Sequence, residues 1–153
     1  MLEINLLMAD DEEELLENLS YDLKKVVKKI VFAKNGAEAL MKLKENKIDI
    51  VITDINMPQK NGLVFAKEAR AWGYNLPIIF LTAHGDDNLM KQALSLDAFD
   101  FIDKPYEKDT LIDILTEASK ESLLQQESIK SQASEESEFH KSYLSMLKSK
   151  VDS

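Results

Sequence analysis

The sequence predicts an α/β fold in which helices cover both faces of a parallel sheet. Short apolar runs alternate with longer segments whose apolar residues recur at helical spacing. The predicted strands are residues 4–9, 30–33, 48–53, 78–81 and 100–102. Strands that are apolar almost throughout must be buried on both faces, and helical connections between them require parallel pairing with right-handed crossovers.

The predicted helices occupy the segments between these strands. Their apolar positions fall on one helical face in three segments, and these are Leu15, Leu16, Leu19, Leu23, Val26 and Val27, then Ala37, Leu40 and Met41, then Leu89, Met90, Ala93 and Leu94. In sheets of this class, ligands bind beyond the carboxyl ends of the strands, where the strand order reverses. Residues that directly follow a strand are therefore the first candidates for a functional site.

Composition limits the class of protein. With 153 residues, 44% of them hydrophobic, the chain can build one sizeable core. The net charge of −9 argues against direct nucleic-acid binding, because an acidic surface repels phosphates. There is no cysteine for a disulfide or thiolate metal site, no apolar run long enough to span a bilayer, and no signal-peptide pattern at the start. We therefore expect a cytoplasmic protein that does not enter the membrane.

The chain is predicted to divide into a domain at residues 1–124 and a polar extension at residues 125–153. The extension is rich in Ser, Glu, Gln and Lys and contains neither Gly nor Pro. Phe139, Tyr143 and Met146 follow a four-three helical spacing, but the corresponding earlier positions are polar. A helical extension that needs a partner and a disordered tail both remain open.

Acidic side chains follow two of the predicted strands. Asp10 and Asp11 come directly after the first strand and Asp54 comes directly after the third, so three carboxylates should meet at one edge of the sheet. A hard divalent cation such as Mg²⁺ would relieve their repulsion, because it prefers oxygen ligands. The alternative is that the acids only support the first helix, with Asp10 as its N-cap, and residues 12–14 are assigned to that role.

Two further polar residues complete the predicted site. Thr82 follows the fourth strand and Lys104 follows the fifth. An ammonium group offers a compact positive charge to a phosphoryl or carboxylate oxygen, and a hydroxyl can hydrogen-bond another such oxygen. Each residue would mean little alone, but together with the carboxylates they form a ring of groups suited to phosphoryl chemistry.

With these residues in place, the chain resembles the receiver domain of two-component response regulators over about residues 4–124. The motifs that carry the resemblance are Asp10-Asp11, Asp54-Ile55-Asn56-Met57-Pro58 followed by Gly62, Leu81-Thr82-Ala83, and Lys104-Pro105. The resemblance implies a flavodoxin-like (βα)5 fold, a doubly wound parallel sheet with strand order 2-1-3-4-5.

The same resemblance implies how the site works. Asp54 is expected to accept a phosphoryl group, with Thr82 and Lys104 in contact with that group. Mg²⁺ is expected to be bound by Asp54 and by the residues Asp10, Asp11 and Asn56: Asp11 directly, Asp10 through water and Asn56 through its backbone carbonyl.

Four further positions are noted from the resemblance. Pro105 is expected to follow a cis peptide bond. Phe101 is expected to rotate inward when Thr82 moves. His84 lies where similar proteins tune the lifetime of the phosphoryl group, but an exposed loop histidine with no catalytic part is the preferred interpretation. Asp97 precedes Ala98 where the family usually has Gly, so the turn there can differ.

The expected function is a phosphorelay switch that is not an enzyme in the usual sense. Its expected partners are a sensor histidine kinase or phosphotransfer protein and an unknown output partner, which would dock on helix four, strand five and helix five. That face or the extension could also mediate a homodimer. An Mg²⁺-dependent phosphatase is disfavoured because Asp10-Asp11-Glu12 lacks the Asp-x-Asp spacing of such enzymes. A scaffold that acts through its extension is the third possibility.

Overall fold

The computed structural model of the chain describes residues 1–83 and 87–127. The strands are β1 (Leu2–Ala9), β2 (Val27–Ala33), β3 (Ile50–Asp54), β4 (Ile78–Thr82) and β5 (Asp100–Asp103). The helices are α1 (Glu13–Leu23), α2 (Gly36–Glu45), α3 (Gly62–Ala71), α4 (Asp87–Leu94) and α5 (108–127). Among these described helices, none has both the length and the apolar character needed to cross a membrane.

The five strands form one parallel sheet in the order β2-β1-β3-β4-β5, as predicted. Alternate residues of β1 enter two separate cores: Leu7 packs with residues of α2 and α3, whereas Leu6 and Met8 pack with residues of α1 and α5. The inner strands β1, β3 and β4 therefore need apolar side chains in both directions, which explains their continuous apolar runs.

The start of β2 corrects the prediction for the first helix. Val26 and Val27 were assigned to the apolar face of that helix, but α1 ends at Leu23. The Val26 amide donates to the Leu23 carbonyl in a turn, and Val27 then pairs with Leu2 of β1. A β-branched side chain that can pack against a neighbouring strand favours this extended conformation. β2 consequently begins at residue 27 and not at residue 30.

The buried face of α2 also differs from the prediction. Ala37 and Met41 are exposed, and the buried residues of the helix are Gly36, Ala39, Leu40 and Leu43. Gly36 fixes this rotation, because a side chain on it would place Cβ 2.3 Å from the Lys60 carbonyl oxygen. In α4, Leu94 is likewise exposed although Ala93 is buried. A short run of apolar residues does not determine which face of a helix packs on the sheet.

β2 lies at one edge of the sheet, beside β1 alone. Its ends, Val27 and Ala33, are buried, whereas Lys28, Lys29 and Phe32 are exposed. The strand thus has a buried apolar residue at each end and two exposed lysines between them.

Arg70, near the end of α3, is bound to backbone carbonyls at the amino ends of β4 and β5. Its guanidinium donates to the carbonyls of Tyr74 (2.8 Å), Leu76 (2.7 Å), Leu96 (3.0 Å) and Asp97 (3.1 Å). Asp97 has a φ of 58°, a left-handed conformation that Gly adopts more easily. The turn before β5 therefore keeps its tight form without glycine, and Arg70 ties it to the turn before β4.

The chain separates into two compact units, Met1–Ser122 and Leu123–Ser153. Within the second unit, residues 123–127 are helical. The remainder of the predicted extension, including Phe139, Tyr143 and Met146, lies outside the described residues.

Candidate functional site

The carboxyl ends of four strands bring the predicted site residues to one edge of the sheet. Asp10 follows β1, Asp54 and Thr82 are the last residues of β3 and β4, and Lys104 follows β5. Asp10 is 1% exposed and Asp54 7%, which is unusual for carboxylates unless they are paired, and Thr82 is 8% exposed. The sheet therefore holds these polar groups at the bottom of a largely desolvated site.

Lys104 stands at the centre of the carboxylates. Its Nζ lies 2.7 Å from Asp10 Oδ2, 3.1 Å from Asp54 Oδ2 and 3.4 Å from Glu12 Oε1. One ammonium group thus faces three carboxylates, so the cluster keeps an excess of negative charge at neutral pH. Such an excess is expensive in a buried site unless a further cation joins it.

Glu12 is the site residue that the sequence analysis missed. It was assigned to the dipole of α1, but α1 begins at Glu13 and the Glu12 side chain makes no capping hydrogen bond. The Asp10 side chain is not the N-cap either; its Oδ1 accepts the Glu12 amide at 2.9 Å. This turn places Glu12 three residues beyond the end of β1, with its carboxylate beside Lys104. An Asp followed two residues later by a carboxylate is the signal that could have indicated it.

The electrostatics of the site follow from burial and from Lys104. Burial raises the pKa values of Asp10 and Asp54, and the neighbouring Lys104 ammonium limits both rises. Burial alone would lower the pKa of Lys104, but its bonds and charge interactions with Asp10 and Asp54 outweigh that effect and raise it. The two carboxyls are therefore more basic than in water, while the ammonium is held in its charged form.

The carboxylates suit a hard divalent cation. Carboxylate oxygens of Asp10, Glu12 and Asp54 lie within 4.8 Å of one another, and their charge exceeds that of Lys104. Asp11 is exposed and lies outside this close cluster, although its charge contributes to the raised pKa of Asp54. The donor set present fits Mg²⁺, which takes oxygen ligands and retains several waters.

The loop from β3 to α3 is pressed against the strand end that carries Asp54. The Gly62 amide donates to the Ile55 carbonyl at 2.8 Å, and a Cβ on Gly62 would lie 2.1 Å from the Asp54 carbonyl oxygen. Only glycine permits that approach. Asn61 then caps α3, because its side chain accepts the Val64 amide at 2.9 Å. Loop and helix together fix the backbone on which Asp54 sits.

The predicted residue Asn56 lies in this loop and is exposed. Its amide donates to Asp54 Oδ1 at 3.3 Å, while Asp54 Oδ2 faces Lys104. The two oxygens of the Asp54 carboxylate therefore have different partners.

Thr82 is bound to β5. Its hydroxyl donates to Asp103 Oδ1 at 3.2 Å, and its carbonyl accepts the Lys104 amide at 2.7 Å. Thr82 and Asp103 are direct partners in the parallel pairing of β4 and β5. The hydroxyl that was predicted to contact a phosphoryl group is thus held by a neighbouring carboxylate in this structure.

Three remaining predictions concern residues around this site. The Lys104–Pro105 peptide bond is cis, as predicted. Phe101 stacks on Phe80, with ring centroids 6.1 Å apart and an interplanar angle of 25°. His84 lies outside the described residues.

Comparison with known proteins places this geometry in a family. The family model described as "Response regulator receiver domain" matches residues 6–116. The chain is 34% identical over 118 residues to the transcriptional regulatory protein GlrR of Escherichia coli, which covers 77% of this chain and 27% of that protein. It is 40% identical over 88 residues to the chemotaxis protein CheY of Thermotoga maritima, which covers 58% of this chain and 73% of that protein.

Solved structures give the same result for the fold. A response regulator receiver domain protein from Clostridium thermocellum superposes with a TM-score of 0.74 at 29% identity, covering 80% of this chain and 98% of that one. The chain spans between 26% and 49% of the length of the curated relatives whose names describe a transcriptional regulatory protein or a response regulator. Such relatives are longer proteins of which this chain corresponds to one part.

Proposed function

Because the chain belongs to the response regulator receiver family, we propose that it is a signalling switch in which Asp54 accepts a phosphoryl group from a histidine kinase or phosphotransfer protein. The observation that carries the proposal is the position of Lys104, whose Nζ lies within 3.1 Å of both Asp10 Oδ2 and Asp54 Oδ2. An acyl phosphate at Asp54 requires a buried carboxylate to accept the phosphoryl group and a nearby cation that can move with the new charge, and Asp54 and Lys104 supply these two groups.

The transfer is an in-line displacement at phosphorus. A carboxylate oxygen of Asp54 forms the new P–O bond while the P–N bond of the donor phosphohistidine breaks, and the leaving imidazole takes up a proton. Burial raises the pKa of the Asp54 carboxyl, which makes its oxygen more nucleophilic, and Lys104 keeps it ionised. Positioning and charge neutralisation supply most of the catalysis in such transfers.

Lys104 has two roles in this mechanism. Before transfer its ammonium compensates the Asp10 and Asp54 carboxylates. During transfer negative charge develops on the phosphoryl oxygens, and the flexible lysine stem allows the ammonium to follow that charge. The lysine therefore exchanges a carboxylate contact for a phosphoryl contact without leaving the site.

Mg²⁺ would be bound by Asp10, Asp11 and Asp54 and by the Asn56 backbone carbonyl, with Glu12 beside them. When bound, it would neutralise phosphoryl charge during transfer. The chain contributes the buried carboxylates of Asp10 and Asp54 and the exposed carboxylate of Asp11, and Asp54 has to share its oxygens between this role and phosphoryl acceptance.

Phosphorylation would then change the surface near Thr82. The new negative charge attracts the Thr82 hydroxyl, and Phe101 would rotate inward as Thr82 moves. An output partner would read the altered face of α4, β5 and α5. The same face, or the extension, could join two copies of the chain.

The remaining properties are proposals of the same kind. We assign the receiver domain to residues 1–124 and a helical extension or linker to residues 125–153. The acidic charge disfavours direct contact with nucleic acid by this chain, so a DNA output would need another polypeptide or domain. We also propose that the protein is cytoplasmic. The only phosphoryl group that it hydrolyses is the one on its own Asp54.

The test is the intact mass of the protein after incubation with Mg²⁺ and a small phosphodonor such as acetyl phosphate. Wild type should gain the mass of one phosphoryl group, and Asp54→Asn should not. Asp113→Asn is the matched control, because Asp113 is an exposed aspartate on α5 and its variant should gain the mass as wild type does. A chelator arm tests the requirement for Mg²⁺.

Three outcomes would contradict the proposal. Wild type that gains no mass with Mg²⁺ present would favour a scaffold that acts without phosphorylation. Repeated rapid turnover of the donor without stable labelling would favour a phosphatase. Equal labelling of wild type and Asp54→Asn would assign the acceptor to another residue.

A further inference from the structure

We infer that the Asp103 carboxylate restrains Thr82 in the resting state and so sets how readily the switch turns on. This inference rests on the proposed function, because it concerns the equilibrium that phosphorylation at Asp54 would shift. Its observation is the hydrogen bond from the Thr82 hydroxyl to Asp103 Oδ1, at 3.2 Å.

The two residues are held opposite each other by the sheet. Thr82 and Asp103 are paired across β4 and β5, and the Lys104 amide bonds the Thr82 carbonyl at 2.7 Å. Residues that are paired in this way project their side chains on the same face of the sheet, within hydrogen-bonding reach. Movement of the Thr82 side chain therefore does not require the strands to separate.

A hydroxyl has one proton, so its possible acceptors compete. Thr82 can donate to Asp103 or to a phosphoryl oxygen on Asp54, but not to both. Asp103 is exposed and can return to water at little cost when Thr82 leaves it. The active orientation is the one in which the Thr82 hydroxyl faces Asp54. Asp103 opposes this orientation by one hydrogen bond, and because Asp103 is exposed, no buried charge is left without a partner when that bond breaks.

Removal of this bond should raise the population of the active orientation. A net hydrogen bond of about 1 kcal/mol corresponds to a roughly fivefold change in that equilibrium. A ligand that binds the active orientation gains apparent affinity by the same factor, as long as that orientation is the minor one.

The experiment measures the affinity of the full chain for beryllium fluoride, a phosphoryl mimic, in the presence of Mg²⁺. Asp103→Ala should bind about fivefold more tightly than wild type. Asp103→Asn keeps an acceptor oxygen without the charge and should lie between the two. Asp113→Asn removes one exposed negative charge elsewhere and should bind as wild type does.

The decisive arm repeats Asp103→Ala in a Thr82→Val background. Valine has no hydroxyl, so Asp103→Ala should have no effect there. If the gain persists, it comes from lower electrostatic repulsion of the anion, and the inference is wrong. Unchanged affinity in the Asp103→Ala single variant would also overturn it.

A second readout is taken on the unligated variant, with ligated wild type as the reference. The Thr82 methyl resonance of unligated Asp103→Ala should shift from its wild-type position toward the one that it has in wild type with beryllium fluoride. An unmoved resonance contradicts the restraint. Binding to wild type but not to Asp54→Asn supports the proposed function independently. Absence of binding to wild type would overturn the proposed function and this inference with it, whereas binding with unchanged affinity in Asp103→Ala overturns the inference alone.

Discussion

Two partly buried cations lie at opposite ends of the sheet and have different kinds of partner. Lys104, at the carboxyl ends of the strands, faces the side-chain carboxylates of Asp10, Glu12 and Asp54. Arg70, at the amino ends of β4 and β5, donates to four backbone carbonyls. A lysine can change partners by rotation of its flexible stem, whereas the fork of an arginine is fixed by several bonds at once.

The comparison shows how one sheet supports both stability and change. Burial lowers the pKa of Arg70, the nearby Asp97 charge opposes that fall, and the carbonyls that it binds are permanent features of the backbone. The partners of Lys104 are ionisable and would alter their charge on phosphorylation. The amino end should therefore govern stability, and the carboxyl end should govern phosphoryl transfer.

The largest expected effect is the loss of phosphoryl transfer in Lys104→Met. Removal of one preorganised charge-stabilising group lowers the rate of such a reaction by roughly 100-fold, so phosphorylation by a small donor should fall by about that factor. Time-resolved intact mass measures it. Lys108→Met, an exposed change early in α5, is the control. If the lower rate is matched by a lower folded fraction, Lys104 serves stability and the comparison fails.

The next effect is a loss of stability in Arg70→Met. Backbone carbonyls that lose their donor are only partly rehydrated, so we expect the free energy of unfolding to fall by about 2 kcal/mol. Urea denaturation measures it. Arg70→Lys keeps the charge but lacks the fork and should recover only part of the loss, while exposed Lys67→Met should be neutral. Full recovery by lysine would show that charge, and not the pattern of bonds, matters there.

The smallest effect is a gain in stability from Asp54→Asn. Burial raises the pKa of Asp54 above the ordinary value of 3.8, so near that pH the folded state binds more protons than the unfolded state. The protein therefore loses stability as pH rises from the unfolded pKa to the raised folded pKa. The variant avoids this loss and should be more stable at pH 7 by on the order of 1 kcal/mol. The gain should disappear below the unfolded pKa, as urea denaturation at several pH values would show.

A gain that does not depend on pH would contradict this explanation, since protonation of wild type should reproduce the variant. The stability that Arg70→Met loses relative to wild type should not vary with pH over this range, because both chains carry the same Asp54 carboxyl. Variants at the two ends of the sheet can then be distinguished by the pH dependence of their effects on stability as well as by the phosphorylation assay.

The fold and the centre of the site could be predicted because both depend on where strands end. Apolar runs located the five strands, and parallel pairing then brought Asp10, Asp54, Thr82 and Lys104 to one edge. The functional roles of these residues remain predictions. Their placement follows from topology and needs no knowledge of side-chain contacts.

The parts that escaped prediction depend on local geometry. Glu12 reaches the site through an Asp10 turn whose direction the composition of the segment does not reveal. Arg70 binds carbonyls that every residue carries, so no pattern marks its partners. The exposure of Met41 depends on the rotation of a ten-residue helix, which Gly36 fixes by close approach to another loop.

The edge position of β2 has a consequence for behaviour at high concentration. An edge strand leaves backbone amides and carbonyls on its outer side available to another polypeptide, and this is a common start of aggregation. The exposed residues Lys28 and Lys29 lie on this strand. A second copy that paired with β2 would bring like charges together and desolvate them, so these lysines help to keep the chain dispersed.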